Sequence, residues 1–302
     1  MIPPAGATVN AGAGSARRIG LLHPGQMGAA VAAQARRTGA EVLWCAAGRS
    51  PASRDRADAA GLTAVAELAE LLDRCATVLS ICPPAAAEEL ASSVADHGFA
   101  GLFVEANAIS VERAERIMQR MARSGTRVVD AAIFGPLPRD ERSANLYLAG
   151  AAADLAEVAE LFRGTSVAVI PTEGAPGSAS ALKMAHTSYQ KTARALAAVA
   201  HALAAGHGVT AHLLTEARRN SASPLAEPER LTGVAARAWR WAPELAEAAD
   251  TLAAQGLPAD LARAAVPVLD RWAQRRDAWD LPLEIVLDDL GTGQPEDRAR
   301  RP

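Results

Sequence analysis

The sequence predicts an α/β chain in which a doubly wound, mainly parallel sheet is followed by an all-α half. Three observations carry this. From residue 18 to residue 171 short β-rich runs alternate with amphipathic segments long enough to cross back over a sheet. After the Pro/Gly cluster "PTEGAPG" at 171–177 the β-rich runs cease and the pattern turns helical. Half of the 302 residues are apolar and only 22% are charged, so the chain can bury a core. At this length two domains are the ordinary outcome.

In chain order the expected strands are "RIGLL", "EVLWCA", "TVLSICP", "GLFVEANA", "RVVDAAIFG", "NLYLAG" and "SVAVIP". Between them lie helical stretches such as "QMGAAVAAQARRTG", "AAAEELASSVADHG" and "VERAERIMQRMARSG", each closed by a glycine suited to a helix C-terminus. Beyond the joint a helix from Ser178 is expected to run about 29 residues, roughly 43 Å. Three further helical stretches follow, "TAHLLTEARRNS", "RLTGVAARAWRWAPELAEAADTLAAQG" and "PADLARAAVPVLDRWAQRRDAWD". The expected division is a tail at 1–17, a sheet domain at 18–173, a helical substrate and dimerisation domain at 174–291, and a tail at 292–302. A helix that long exceeds what a small domain covers alone, which predicts a homodimer.

Charge and composition exclude several functions. The net charge is −3 and there is no Lys/Arg block, which argues against nucleic acid or an anionic membrane as partner. Cys45, Cys75 and Cys82 are odd in number and lack zinc spacing, so they are expected to be reduced core thiols, with no metal bound and a cytoplasmic location. No apolar run reaches a membrane span. The opening "MIPPAGATVNAGAGSARR" has no leucine-rich core and is expected to be a tail and not a secretory signal.

The first strand leads into "GLLHPGQMGAAVAA". A dinucleotide fold turns its first strand tightly into a helix whose N–H groups face a pyrophosphate, with the spacing Gly-x-Gly-x-x-Gly. Here positions 23, 25 and 28 are His, Gly and Gly, with Pro24 in the turn. The segment His23, Pro24, Gly25, Gln26, Met27 and Gly28 is therefore the expected phosphate turn of a Rossmann domain. Cys82, Pro83 and Asn107, at the ends of later strands, complete the expected cofactor contacts. After the second strand comes "EVLWCAAGRSPASR", with no acid to accept from a ribose 2′-OH until Asp55. NADP is favoured over NAD, with Arg49 and Ser50 as 2′-phosphate ligands and Arg54 as helper.

The stretch "GSASALKMAHTSYQK" places Lys183, His186, Thr187 and Gln190 at i, i+3, i+4 and i+7, within one arc of an otherwise apolar helix. Such a stripe is either a solvated face or the wall of a cleft.

In four motifs, in order over residues 18 to about 285, the chain resembles the beta-hydroxyacid dehydrogenase superfamily, which includes 3-hydroxyisobutyrate and 6-phosphogluconate dehydrogenases. The motifs are "IGLLHPGQMGAAVA", "VEANAISVERA", "VVDAAIFGP" and "GSASALKMAHT". "WAPELAEAADTLAAQGLP" is similar to members with a phosphogluconate-dehydrogenase-like helical part. The resemblance implies a nucleotide domain, a helical domain, a homodimer and Lys183 as catalytic acid/base. With that acid/base the stripe reads as the wall of a cleft. Thr187 and Gln190 are expected to hold polar groups of the substrate, with Asn107 reaching across from the sheet beside Ala108, Phe134 and Gly135. His186 is either a ligand or the cap of a buried hydrogen-bond network, and Trp241 or Tyr189 lines an apolar part. Lys191, at the edge of the arc, is expected to be solvated. Trp239, Trp241 and Trp272 are expected mainly in the core.

The departures narrow the chemistry. Asn107 and Ala108 replace a Ser-Thr pair, Phe134-Gly135-Pro136 replaces Ser-Gly-Gly, and Thr187 stands where Asn is usual. Gln190 occupies the place of the glutamate that protonates the enediol in 6-phosphogluconate dehydrogenase, and an amide does not exchange protons near neutral pH. The expected function is an NADPH-linked oxidoreductase acting on a small hydroxy acid, keto acid or related carbonyl compound. The alternatives are an imine reductase of the same architecture, which Lys183 tells against, and a non-catalytic NADPH-binding protein.

Overall fold

The computed structural model describes residues 17–219 and 227–291. The expected tails lie outside them, apart from Arg17. Strands β1 (Arg18–Leu21), β2 (Glu41–Cys45), β3 (Thr63–Val65), β4 (Thr77–Ser80), β5 (Leu102–Glu105), β6 (Arg127–Phe134), β7 (Ala144–Ala149) and β8 (Val167–Pro171) form one sheet. Its order is β3-β2-β1-β4-β5-β6-β7-β8. Neighbours run parallel except β6 and β7, which are antiparallel. Every residue of β4 and β5 is buried, the signature of strands covered on both faces.

Seven of the strands are the runs read from the sequence. The eighth, β3, is three residues at an edge with two of them exposed, too short and too wet to leave a periodic signal. Helices α1 (Gln26–Arg37), α2 (Pro51–Ala59) and α6 (Ala152–Leu161) contribute to the core on one face of the sheet. Helices α3 (Leu68–Arg74), α4 (Ala87–Asp96) and α5 (Val111–Arg123) cover the other. The chain order reverses between β1 and β4, and in open α/β sheets a ligand binds at that crevice, beyond the C-terminal strand ends.

The helical half comprises α7 (Ser178–Gly206), α8 (Thr210–Arg219), α9 (Leu231–Ala235), α10 (Ala238–Ala254), α11 (Asp260–Asp270) and α12 (Leu283–Gly291). Helix α7 has the 29 residues its apolar run predicts. The stretch expected as one helix from Arg230 to Gly256 is instead broken between α9 and α10. The carbonyl of Ala236 accepts from Asp277 N at 3.0 Å, while Arg240 N turns back to Arg237 O at 3.0 Å, so the regular ladder is interrupted there. The core of this half is alanine-rich, with Met184, Leu231, Val234, Leu245, Leu269, Trp272 and Val286 as its larger members.

Two polar joints fix α7 to the sheet and α10 to the start of α5. Asp130 of β6 accepts from Ala179 N at 3.0 Å and Ser180 N at 3.1 Å, and from Ser180 Oγ at 2.6 Å. It caps α7 from outside, because Gly177 at the N-cap has no side chain to do so; its φ of 95° suits glycine. Glu247 of α10 accepts from Ser110 N at 2.7 Å and pairs with Arg113. Among the described residues no helix is long and apolar enough to cross a membrane.

Candidate active site

The phosphate turn lies between β1 and α1. A Cβ on Gly28 would stand 2.4 Å from His23 O, so only glycine allows the helix to pack this close to the turn. Neither His23 nor Pro24 has a positive φ, which is why the turn tolerates a histidine where the fingerprint has glycine. Gly25 caps α1 without a side-chain bond, leaving the first-turn N–H groups of Gln26 and Met27 unblocked.

Arg49 lies over this turn. Its guanidinium donates to Leu22 O at 2.9 Å and to His23 Nδ1 at 3.1 Å, and its Nε is buried without a partner. Arg donates only, so His23 Nδ1 is the acceptor and the ring is neutral. Burial first, then the charges of Arg49 and Arg56, pull the His23 pKa down to about 4. Ser50 caps α2, its Oγ accepting from Ser53 N at 3.3 Å. Arg54 is exposed and binds Ala46 O at 3.0 Å. Arg56, which sequence reasoning missed, donates to Pro24 O at 3.1 Å and to Ser53 Oγ at 3.1 Å. These features suit an anionic dinucleotide: a glycine cradle, an open helix N-terminus and an arginine with an orphaned buried nitrogen.

Across the crevice, at the ends of β4 and β5, Asn107 is buried at 3% exposure. Its Oδ1 accepts from Cys82 N, and its Nδ2 donates to Ser80 Oγ at 2.9 Å. Each end of the amide thus makes one hydrogen bond within the sheet edge, which fixes its orientation and leaves the second Nδ2 hydrogen for a bound molecule. Glu105 accepts from Asn107 N at 3.0 Å and lies beside Asp130 in the neighbouring strand. Burial pushes the Glu105 carboxyl up to about 8, and its Oε2 has no partner. Cys82 is half-buried and its thiol is pushed up to about 12 by burial and by Glu105. Pro83 is exposed, and Ala108 packs on the core of the helical half.

Lys183 projects from α7 toward the end of β6. Its Nζ donates to Ile133 O at 2.7 Å and lies 4.7 Å from the ring centre of Phe134. Burial lowers its pKa from the usual lysine value; Glu244 opposes the shift and Arg240 adds to it. Phe134 is stacked edge-on between Tyr147 at 5.3 Å and His186 at 5.2 Å. Gly135 follows with a φ of 108°, and a Cβ there would stand 3.1 Å from Ser143 O. Thr187 is buried, Gln190 is half-buried, and His186 is exposed, its pKa lowered by partial burial and by Lys183.

The largest correction concerns Lys191. Expected to be solvated, it is 4% exposed, ion-paired to Glu244 of α10 and 5.4 Å from the ring centre of Trp241. Burial pulls its pKa down to about 8. Relative to Lys183 it sits about 80° round the helix on the side facing α10, whereas His186 sits about 60° round on the opposite side. The stripe's centre is thus displaced toward α10. Trp272 is fully buried as expected, while Trp239 and Trp241 are partly exposed. A cavity of about 400 Å³ lined by α4 and α5, among them Glu88, Arg116 and Arg120, includes none of these residues.

Residues 18–174 match the family described as the NAD binding domain of 6-phosphogluconate dehydrogenase. Residues 204–272 match a domain of unknown function. No curated protein matches the chain. A 3-hydroxyisobutyrate dehydrogenase of Mycobacterium tuberculosis, solved with L-serine, superposes with a TM-score of 0.69 at 20% identity, over 92% of this chain and 100% of that one. A conserved protein of unknown function, described as structurally similar to 3-hydroxyacid dehydrogenases, gives 0.64 at 25% identity over 85% and 97%. A Streptomyces aurantiacus imine reductase gives 0.56 at 19% identity over 92% and 100%.

Proposed function

Since the chain belongs to the beta-hydroxyacid dehydrogenase superfamily, by a nucleotide half that covers residues 18–174, we propose that it is an NADPH-dependent oxidoreductase of small hydroxy acids, keto acids or related carbonyl compounds. The observation that carries this reading is Lys183: a desolvated amine on the first helix after the sheet, held at the end of β6 by Ile133 O. A bound nicotinamide supplies the hydride acceptor or donor. What the chain must add is a proton carrier at the substrate oxygen and a binding site around it.

Lys183 performs the first task. Its ammonium form donates to a carbonyl oxygen during reduction, and its neutral form takes the hydroxyl proton during oxidation. Desolvation lowers the lysine's pKa and so raises the share of its neutral form at any given pH above that of an exposed lysine. Thr187, Gln190 and His186 extend along the same helix to hold polar groups of the substrate. Phe134 and Trp241 give the pocket apolar walls, and Gly135 lets the chain turn beside them. The turn 23–28 holds the pyrophosphate. Arg49 and Ser50, with Arg56 behind them, hold the 2′-phosphate, a reading supported by the absence of any acid between the end of β2 and Asp55. The sheet half, 18–173, thus binds nucleotide, while the helical half, 174–291, supplies the acid/base and the dimer contacts in a cytoplasmic enzyme.

The test is a panel of 2- and 3-hydroxy acids with NADP, and of keto acids and amine-plus-carbonyl pairs with NADPH. Turnover of a hydroxy or keto acid is expected. Lys183→Ala is expected to lower it by about 10²–10⁴-fold while leaving NADPH affinity intact. Turnover confined to the amine pairs would transfer the reading to an imine reductase, and full activity in Lys183→Ala would overturn the role of the lysine.

A further inference from the structure

Helix α10 presents Arg237 at its N-cap, then Arg240, Trp241 and Glu244, a spacing of i, i+3, i+4 and i+7 that puts all four on one face. That face meets the polar face of α7. The Trp241 ring has three cations around it, Lys191 Nζ at 5.4 Å, the Arg194 guanidinium at 5.8 Å and the Arg237 guanidinium at 6.0 Å. Lys183 and Arg240 belong to the same cluster: the charge of Arg240 bears on Lys183, Lys191, Arg237 and Glu244 alike.

The cluster is not neutralised. Its central carboxylate, Glu244, is ion-paired to Lys191, and its charge also bears on Lys183 and Arg240. Glu227, the acid whose charge reaches Arg194, is itself paired with Arg230 at 2.9 Å. Elsewhere the arginines find acids: Arg113 has Glu247 and Glu88, Arg127 has Asp154 and Glu157, and Arg275 takes both oxygens of Asp289. Among the described residues the guanidiniums of Arg194 and Arg237 donate to backbone carbonyls and to no acid, Arg194 to Gln190 O in α7 at 3.0 Å and Arg237 to Gly233 O in α9 at 2.6 Å. That of Arg240 makes no hydrogen bond or ion pair with any protein group among the described residues. Lys183, Lys191, Arg194, Arg237 and Arg240 share the single central carboxylate of Glu244, so positive charge is in excess there, and an anion entering among them lowers the repulsion.

We propose that Arg240, with Arg194 and Arg237 beside it and Trp241 as a floor, is the receptor for an oxyanion of the substrate, either a carboxylate or a phosphate or phosphonate. This rests on the reading of Lys183 as acid/base, and it makes Arg240 the specificity residue of that site. Guanidiniums suit the task because their planar fork pairs with two oxygens at once. The aromatic floor selects oxyanions attached to an apolar body over hydrated inorganic ones.

The experiment titrates benzoate, methylphosphonate and inorganic phosphate separately into the full chain without nucleotide, by calorimetry and tryptophan fluorescence. Saturable binding that persists in Arg49→Gln, which removes any share held at the phosphate turn, is expected, with benzoate or methylphosphonate the tighter according to whether the natural group is a carboxylate or a phosphonate-type anion. Arg240→Gln is expected to weaken it about tenfold or more, with Arg240→Lys recovering part of the loss. Arg194→Gln, checked by circular dichroism for folding, gives the same direction should Arg240→Gln fail to fold. Absence of saturable binding of all three anions to the wild type, its loss in Arg49→Gln, or equal affinity in the folded Arg240→Gln and Arg194→Gln variants, overturns the proposal. Because nucleotide is absent, a chain that binds these anions yet shows no NADPH-linked turnover would sink the catalytic reading alone.

Discussion

Lys183 and Glu105 are the two groups whose protonation the fold shifts most consequentially. Because burial lowers the Lys183 pKa, the neutral base is present at lower pH than in an exposed lysine. Oxidation-direction kcat/KM is therefore expected to rise with pH through that pKa and reduction-direction kcat/KM to fall, and Lys183→Ala should erase both limbs. Glu105 acts on stability. Its carboxyl is about 8 in the folded chain against 4.5 as the reference, so the native state keeps a proton that the unfolded chain has lost, and stability falls as pH rises from 4.5 to 8. His23 works the other way below 6.5, since its folded pKa near 4 adds stability as pH rises from 4 to 6.5. Between 6.5 and about 7.5 the Glu105 contribution dominates; closer to 8 Lys191, whose folded pKa is also about 8, begins to add stability as pH rises and offsets it. Chemical denaturation in the first of these windows should show a decline of order 1 kcal/mol per pH unit that Glu105→Gln removes; a flat wild-type profile would show that Glu105 is already ionised. Lys183 was legible in the sequence because a charge in an apolar helix is conspicuous. Arg56, Arg240 and Glu244 were not, because each sits among other charged residues and only the tertiary contact shows which of them faces inward.

At the level of elements, the seating of α7 on Asp130 decides where Lys183 points. Asp130→Ala removes the acceptor for two backbone N–H groups and the Ser180 hydroxyl, all buried, and is expected to cost about 2–4 kcal/mol. Thermal unfolding measures it, and a loss below about 0.5 kcal/mol, the scale of a surface substitution, would show that packing alone holds the helix. Most strands and the full length of α7 could be read from the sequence, since buried parallel strands are continuous apolar runs and α7 is continuous in alanine and leucine. The break between α9 and α10 could not be, because it depends on Asp277 taking the carbonyl of Ala236, a partner about forty residues away. The same holds for Lys191: its 80° offset from Lys183 is compatible with either face, and α10 decides.

For the whole molecule, α7 leaves Leu182, Tyr189 and Leu196 at 40%, 73% and 59% exposure, spaced by seven residues on one face beside His186. A stripe of that spacing on a 29-residue helix supports the expected homodimer, with the second copy lying along it. Sedimentation of the full chain at micromolar concentration is expected to show a dimer, and Tyr189→Glu with Leu196→Glu a monomer; a monomeric wild type would contradict this. The two halves carry different parts of the account: the crevice beyond β1 and β4 offers an anion cradle, and the joint faces of α7 and α10 offer an amine beside unneutralised arginines. The most direct test of their cooperation is a crystal structure of the protein with NADP⁺. The 2′-phosphate is expected on Arg49 and the Lys183 nitrogen within about 4–5 Å of the nicotinamide C4, close enough to serve the reacting oxygen. A nicotinamide ring turned away from α7, or Lys183 turned out into solvent, would contradict it.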